Sequence, residues 1–435
     1  MNEGRQTMSF SATVSLGVGA MIGAGIFALL GEAGAIAGSA VWISFLVGGV
    51  IALLTGYSLG KLGARYPSAG GMVEYLIHGW GSSLFSGGMA VLMYLSALLS
   101  LALVAKTFGT YGAALVPGAP GWLAPGWLAP GFAVAIMVVF VAVNLRGSAS
   151  VGRVELWIVL FKFAVLLTLA IGGLAALKPS LLAPTTYPGV GSIAASVAVT
   201  FFAYEGFRVI TNAAEDVDRP ERTIPRAITT SILLVMALYV VIALVVFGTL
   251  TPDAVSAAKD HALAEAARPV FGSVGVAVVS ITALVATASA INAGLFSATN
   301  VSYQMAKDGE LPGVFRRHVR KSREGLLVSG FIVAIAAVAF DLSQIAVLGA
   351  ISILLVHTAV HVGHLRLLGR TGAQRWTVML AGVAAFAIVV FTLVNAAHHS
   401  WTIPAIFVAF VAVSFGAEWI MRLTTRRELR TRAEH

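Results

Sequence analysis

Long apolar stretches separated by short polar segments recur along almost the whole chain. A helix needs about 20 apolar residues to cross a hydrocarbon layer ~30 Å thick. This pattern predicts twelve membrane-spanning helices. Their approximate ranges are 10–31, 40–63, 82–114, 129–145, 153–177, 191–214, 226–250, 271–303, 325–341, 344–366, 376–396 and 401–422. The fold class is therefore predicted to be an all-α polytopic membrane protein.

Composition and charge agree with that class. The chain has 435 residues, of which 58% are hydrophobic and 11% charged, and its mean hydropathy of +0.91 excludes a soluble domain. The net charge of +9 would suit a nucleic-acid partner, but the positions of the basic residues have another explanation. Of the 28 Lys and Arg residues, 22 fall on one predicted side of the membrane and three on the other. This positive-inside asymmetry places both termini in the cytoplasm, and no nucleic-acid partner is expected.

The ends of the chain and its lack of cysteine add three expectations. The first apolar segment is interrupted by glycines, so a cleaved signal peptide is not expected, and we predict a multi-pass protein of the plasma (inner) membrane. The basic tail at 423–435 is predicted to bind anionic lipids at the cytoplasmic face. With no cysteine, a disulfide-linked subunit is excluded.

Two predicted spans carry features that normally interrupt a membrane helix. The first has glycines at Gly17, Gly19, Gly23 and Gly25, and the sixth has a polar, glycine-containing patch at residues 201–208. Broken helices at the first and sixth positions are typical of two five-helix inverted repeats with a substrate site at the breaks. The alternative for the glycines is a close-packing helix face.

Lys162 is a charged residue deep within the fifth predicted span. It lies nine residues after Arg153, or about 13 Å at 1.5 Å per residue, which places it near the middle of the bilayer. A lysine there costs about 2.5–3.5 kcal/mol, so it should face protein or a cavity and have a function. A permanently charged structural pin is the alternative to a group that exchanges a proton.

Four segments resemble the amino acid-polyamine-organocation (APC) superfamily of transporters. The resemblance is closest to proton-coupled, sodium-independent amino acid transporters of broad specificity that carry a lysine in helix 5. The four segments are residues 19–27 in helix 1, 201–207 in helix 6, 214–227 between helices 6 and 7, and 305–312 after helix 8.

The resemblance implies a LeuT-type fold of 5+5 inverted repeats with two extra helices. The transport core would be residues 1–366, with repeats at about 10–177 and 191–366, and helices 11 and 12 at 367–422 would be peripheral. The implied function is a proton-coupled symporter that imports amino acids by alternating access. A polyamine or cationic amino acid transporter, or an exchanger, is the alternative within the same fold.

An amino acid zwitterion needs donors for its carboxylate and acceptors for its ammonium. Free N–H groups at the start of a half-helix supply the donors, so the backbone at Gly23, Ala24 and Gly25 is predicted to bind the carboxylate. The family pattern places the acceptor carbonyls at three further positions, Met21, Phe202 and Glu205. Phe202 and Tyr204 are predicted as lid and pocket wall, and simple packing between helices is the alternative.

The coupling site is predicted around Lys162, near the position that sodium-coupled relatives use for a cation. Its expected partners are the carbonyl of Gly19 and the hydroxyl of Ser289, and Ala288 beside Ser289 argues against a sodium site. Burial favours the neutral form of an amine, which makes proton loss feasible. Proton gain and loss would then bias the outward and inward forms differently.

Glu205 and Arg208 are three residues apart and have two interpretations. They can pair and neutralise each other, or one of them can select a charged substrate. The family position of Arg208 is usually acidic or glycine, so no role transfers to it.

His357, His361 and His364 share one helical face, a spacing that can bind a metal ion. The sequence between them lacks the glutamate of a zinc protease motif, so no metal, cofactor or catalytic residue is predicted and the protein is not expected to be an enzyme. A membrane metalloenzyme using these histidines and a non-transporting amino acid sensor are the rival classes.

Overall fold

A computed structural model describes residues 7–116, 125–146, 151–308, 317–319 and 322–425. Within them, twelve long helices coincide one for one with the predicted spans. Labelled α1 to α12 in chain order, they are Phe10–Ala37, Val41–Arg65, Leu84–Ala114, Leu128–Arg146, Val151–Ala175, Val190–Tyr204, Pro220–Thr249, Arg268–Asp308, Glu324–Ala339, Leu342–His364, Arg375–His399 and Thr402–Thr425. Residues 309–312 of the family motif and the tail from residue 426 onward lie outside the described chain.

Length and hydropathy support the membrane assignment. In the described chain, ten segments are long and apolar enough to cross a membrane, and Glu324–Ala339 is a shorter apolar helix. The only strands among the described residues are β1 (His318–Val319) and β2 (Ser322–Arg323), which pair antiparallel. The predicted all-α polytopic class is confirmed.

Side-chain caps fix several helix starts. The Ser9 hydroxyl accepts a hydrogen bond from the backbone N–H of Ala12 at the start of α1. Ser83 and Ser86 form a capping box at the start of α3, which satisfies two backbone donors that have no partner within the helix. A short helix, Met72–Trp80, connects α2 to α3. These polar caps lie outside the apolar spans, where the helices begin.

The predicted break in α1 is absent from this structure. The helix is continuous from Phe10 to Ala37. Its glycines instead allow close contact with neighbouring helices: a Cβ on Gly25 would collide with the carbonyl oxygen of Ala203 in α6 and lie 2.5 Å from the Tyr239 hydroxyl in α7. The prediction was wrong for this helix because glycine also favours close helix packing in a membrane, the alternative that the sequence left open.

The predicted interruption in the sixth span is present as a change of helix type. α6 ends at Tyr204, the next four residues from Glu205 to Arg208 form a 3₁₀ helix, and a last α-helical turn covers Val209–Asn212. A 3₁₀ segment inside a helix forms i→i+3 hydrogen bonds and often marks a functional site. This 3₁₀ turn packs directly against α1.

Helix packing brings α1 to the centre of the bundle, in contact with α5, α6, α7 and α8. α10 packs against α2, α3, α6 and α11, and α12 packs against α3. The buried face of α1 includes Met21, Ile22 and Ile26, each with no exposed surface. The predicted site residues of α5 and α6 therefore lie on helices that both pack against α1.

Lys106, near the end of α3, is partly exposed and contacts the end of α9. Its Nζ donates to the carbonyl oxygens of Ala337 at 3.1 Å and Phe340 at 2.8 Å, at the C-terminal end of α9. The last carbonyls of a helix have no partner within the helix and attract a cation. Lys106 thus caps the C-terminal end of α9.

Candidate functional site

A cavity of about 200 Å³ lies between α1, α3, α5, α6 and α8. Six of the residues predicted to bind substrate or couple transport line it: Gly19, Met21, Gly25, Phe202, Glu205 and Arg208. The 3₁₀ turn after α6 supplies Glu205 and Arg208. The change of helix type therefore places one acidic and one basic side chain at an otherwise mostly apolar cavity. Residues of the glycine-rich segment of α1 and of the turn after α6 thus lie at one cavity.

Gly23 and Tyr204 are not among the residues that line the cavity. A Cβ on Gly23 would lie 2.8 Å from the Cβ of Ala290, so this glycine packs against α8. The Tyr204 hydroxyl donates to the carbonyl oxygen of Phe45 in α2 at 2.9 Å, and the two rings meet edge to face. In this structure Tyr204 therefore packs between α6 and α2.

The carbonyl of Met21, a predicted acceptor for substrate, already has a partner. The Tyr239 hydroxyl of α7 donates to it at 2.7 Å, and Tyr239 is fully buried. The predicted acceptor at Phe202 accepts the backbone N–H of Glu205 within the 3₁₀ turn. Sequence reasoning missed Tyr239, although a hydroxyl within the apolar span of α7 was a visible signal that it has a buried partner.

Lys162 is buried, with 1% of its surface exposed, and its Nζ donates to the carbonyl oxygen of Gly19 at 2.6 Å. Gly19 allows this approach because a Cβ there would lie 2.6 Å from Val159, one turn before Lys162 in α5. Ser289 is buried on α8, which packs against both α1 and α5. The lysine therefore joins α5 to α1 beside the cavity.

Glu205 forms a buried three-residue cluster. Its Oε1 lies 2.9 Å from Nε of Arg208, and its Oε2 lies 2.9 Å from Nε2 of His357 in α10. The carboxylate, only 5% exposed, thus faces a cation and an imidazole. Buried charges are retained in proteins when they are paired in this way. The pairing of Glu205 with Arg208 is the first of the two interpretations given above.

His357 contacts the cavity residue Glu205, a role that the sequence did not predict. It precedes Arg366, just after the end of α10, by nine residues, about 13 Å along a helix. All three histidines are buried. Their i, i+4, i+7 spacing was the signal, since a polar stripe on a membrane helix faces protein partners.

His361 and His364 contact hydroxyl groups. Nδ1 of His361 and Nδ1 of His364 lie 2.9 Å and 2.7 Å from the hydroxyl of Ser58 in α2. Nε2 of His364 lies 2.9 Å from the hydroxyl of Thr371. Among the described residues, no cluster of three or more side chains has the arrangement of a metal site. The histidines instead join α10 to α2 and to the turn after α6.

Comparison with known proteins agrees with this architecture. A sequence model of the family described as amino acid permease matches residues 8–416, from the start of α1 into α12. An uncharacterized protein of Methanocaldococcus jannaschii is 35% identical over 97% of this chain and 96% of its own length. The inner membrane transport protein YbaT of Escherichia coli is 34% identical over 84% of this chain and 85% of its own. The serine/threonine exchanger SteT of Bacillus subtilis is 26% identical over 79% of this chain and 78% of its own.

Proposed function

Because the chain belongs to the amino acid permease family, we propose that it is a proton-coupled symporter that imports amino acids by alternating access. At the family level it is a multi-pass membrane transporter and not an enzyme, since its named relatives are transporters. The substrate would occupy the cavity between α1 and the 3₁₀ turn after α6. Beyond this family-level assignment, we propose the coupling to protons, the direction of transport and the class of substrate.

The observation that carries the proposal is the buried contact from Lys162 to Gly19. A lysine at this depth carries an energetic cost that a purely apolar residue would avoid, so a function is the default explanation. The protonated ammonium forms a charge-assisted hydrogen bond that holds α5 to α1, and the neutral amine forms a weaker one. Protonation therefore stabilises conformations in which α1 and α5 are in contact.

Coupling follows if the contact differs between the outward-open and inward-open forms. A proton that binds one form more tightly than the other shifts the equilibrium between them, by no more than that difference in affinity. Movement of α1 relative to α5 would break the contact with Gly19 and change the free energy of protonating Lys162. The proton gradient could then drive accumulation of substrate.

The substrates that best fit the cavity are neutral amino acids. Arg208 and His357 already compensate the carboxylate of Glu205, so it offers no free charge to a cationic side chain. The remaining lining is mostly small or apolar, including Ala20, Ala97 and Gly294. A zwitterion adds no net charge to such a cavity, whereas a polyamine adds several positive charges.

Uptake into proteoliposomes tests the function. We expect purified protein to accumulate radiolabelled L-serine when the lumen is alkaline, and a sodium gradient of the same size to have no effect. L-serine is the probe because a relative is named a serine/threonine exchanger. Liposomes without protein and collapse of the gradient with an ionophore are the controls. Tight binding without flux would favour the sensor, and counterflow that ignores the pH gradient would favour an exchanger.

Arg208→Met is expected to widen the substrate range towards cations. Without the guanidinium, the carboxylate of Glu205 keeps only the His357 contact and can attract a positive side chain at the cavity. A hydrogen bond to a charged group contributes about 1.5–3 kcal/mol, so competition by L-lysine should improve about tenfold or more. The measurement is inhibition of L-serine uptake or binding by L-lysine and by L-alanine.

The control for this prediction is Arg370→Met, which removes an exposed arginine outside the cavity. Its inhibition profile should match that of the unmodified protein. Equal L-lysine inhibition in Arg208→Met and Arg370→Met would show that Glu205 does not act on the substrate side chain.

We also propose an arrangement for the two repeats, the termini and the basic tail. The two repeats would cover about residues 10–177 and 191–366, with α11 and α12 outside the core. Both termini would face the cytoplasm, on the side with most basic residues. The basic tail after α12 would contact anionic lipid headgroups there.

A further inference from the structure

We propose that the α10 histidines His357, His361 and His364 form a proton path between Glu205 at the cavity and the end of the bundle at Thr371. The path rests on the proposed function, because a proton-coupled transporter must exchange protons between its cavity and bulk water. It gives the proton a route through protein that is separate from the route of the substrate. It also explains why three histidines are buried on one helix.

The path begins at the cavity. Glu205 lines the cavity, and its Oε2 lies 2.9 Å from Nε2 of His357, which has no exposed surface. The rings of Phe201 and Phe207 pack on the same imidazole, with centroids 5.6 Å and 6.2 Å away. These aromatic rings exclude solvent around His357, so a proton that leaves Glu205 in this direction must pass through the imidazole.

The path ends at the surface. The Ser58 hydroxyl bridges Nδ1 of His361 and Nδ1 of His364, and Nε2 of His364 reaches the hydroxyl of Thr371. Thr371 is partly exposed, and Arg370 and Gly372 on either side of it are exposed. α10 ends on the same side of the bundle as α1 begins, since it is the tenth of twelve alternating spans. That side is the one proposed to face the cytoplasm.

Hydrogen-bond directions in this segment favour transfer towards the surface. The Thr371 hydroxyl is placed to donate to the carbonyl oxygen of Leu367 at 3.2 Å, which leaves its oxygen to accept from Nε2 of His364. Nδ1 of His364 then accepts from Ser58, and Ser58 accepts from Nδ1 of His361. With these tautomers, Nε2 of His361 carries a lone pair that can accept a proton.

Between His357 and His361 the path has one junction, a step that no hydrogen bond described between the two rings connects directly. Their rings are stacked, with centroids 6.0 Å apart and planes inclined by 19°. Nδ1 of His357 and Nε2 of His361 are buried, and neither has a hydrogen-bond partner in the described part of the chain. A proton crosses this junction through a rotation of one ring or through a bridging water molecule. Two unpartnered nitrogens on adjacent rings are unfavourable in a purely structural network and useful in a conducting one.

Each transfer conserves protons. A protonated Glu205 carboxyl gives its proton to Nε2 of His357, whose Nδ1 proton passes to Nε2 of His361. His361 releases its Nδ1 proton to the oxygen of Ser58, whose own proton moves to His364. His364 then releases the proton on Nε2 to the Thr371 oxygen, and the Thr371 hydroxyl breaks its hydrogen bond to Leu367, rotates towards solvent and gives its own proton to water. The net change is one proton lost by Glu205 and one gained by bulk water.

The charged groups described next to the path are few. Glu205 and Arg208 face it from the turn after α6, while α2 contributes the neutral Ser58. α11 approaches His361 at Gly382, where a Cβ would lie 3.3 Å from the His361 Cβ. Arg208 compensates the carboxylate of Glu205, so protonation of His357 takes place beside a pair that is already neutral.

His361→Gln and Ser58→Ala test the path in L-serine proteoliposomes. Glutamine keeps hydrogen-bonding groups but does not relay a proton, and Ser58→Ala removes the link from His361 to His364. We expect both variants to keep counterflow of L-serine within about twofold while losing about tenfold or more of the accumulation driven by a pH gradient. A pH-sensitive dye in the lumen should report a matching loss of substrate-induced proton entry. His398→Gln, the same change at an exposed histidine of α11, should behave like the unmodified protein.

The outcomes separate the path from the proposed function. If the unmodified protein shows no pH-driven accumulation, the proposed function fails. If the unmodified protein accumulates L-serine and both variants do so equally well, the function stands and the path is wrong. Loss of counterflow together with accumulation in both variants would mean that the network is structural, and this would also overturn the path.

Discussion

Lys162→Ala is expected to abolish proton-driven accumulation of L-serine while leaving exchange of L-serine across the membrane intact. The substitution removes the group that contacts the carbonyl of Gly19, so the free energy of the contact between α1 and α5 no longer depends on protonation. Site-to-site coupling of about 1–3 kcal/mol corresponds to 5- to 150-fold, so a loss of about tenfold or more is expected. The measurement compares uptake under a pH gradient with counterflow at equal pH.

Two further variants make the result specific. Lys178→Ala removes an exposed lysine beyond α5 and should leave both activities unchanged. Lys162→Arg keeps a permanent positive charge that does not release its proton. A structural pin would retain accumulation in Lys162→Arg, whereas a coupling group would lose it. Normal pH dependence of accumulation in Lys162→Ala would exclude Lys162 as the coupling residue.

Gly206→Ala is expected to stop transport by forcing the 3₁₀ turn away from α1. The added Cβ would lie 2.6 Å from the carbonyl carbon of Ala20 and would also collide with the backbone nitrogen of Met21. Because these are backbone atoms of a buried helix, they cannot move aside as a flexible side chain can. Overpacking of this kind costs about 1–3 kcal/mol, and here it falls on the wall of the cavity.

Gly191→Ala is the matched control, because it makes the same change on α6 where no atom lies within 4 Å of the new Cβ. Both variants should be compared by thermal unfolding in detergent and by L-serine counterflow. Gly191→Ala should resemble the unmodified protein or be slightly more stable. If Gly206→Ala and Gly191→Ala catalyse counterflow at the same rate, the close contact between the backbone of Gly206 and the backbone of α1 is not needed for transport.

The membrane fold was largely predictable from the sequence because lipid imposes a simple rule. Every apolar run must be long enough to span and must satisfy its own backbone hydrogen bonds, so hydropathy finds each helix. The state of α1 was not predictable in the same way. Glycines such as Gly23 and Gly25 are compatible with both an unwound segment and a close-packed one. Which of the two forms depends on how the neighbouring helices pack, and a single sequence does not show this packing.

The candidate site was predictable where chemistry left few choices. A buried ammonium at Lys162 needs an oxygen acceptor, and the resemblance to transporters with a cation at this position indicated a carbonyl of α1. The contact between Glu205 and His357 was not predictable, since it joins residues 152 positions apart and depends on how α10 packs against α6. Long-range pairing of this kind leaves no local pattern in a single sequence.

The hydroxyl of Tyr239 sets a limit on how tightly the proposed substrate can be held. It already donates to the carbonyl of Met21, so an arriving ammonium group would displace an existing donor instead of satisfying an empty acceptor. Replacing one hydrogen bond with another yields little net free energy. Weak binding suits a carrier, because a substrate that is captured too firmly on one side dissociates too slowly on the other. Tyr239 would thus favour turnover over affinity.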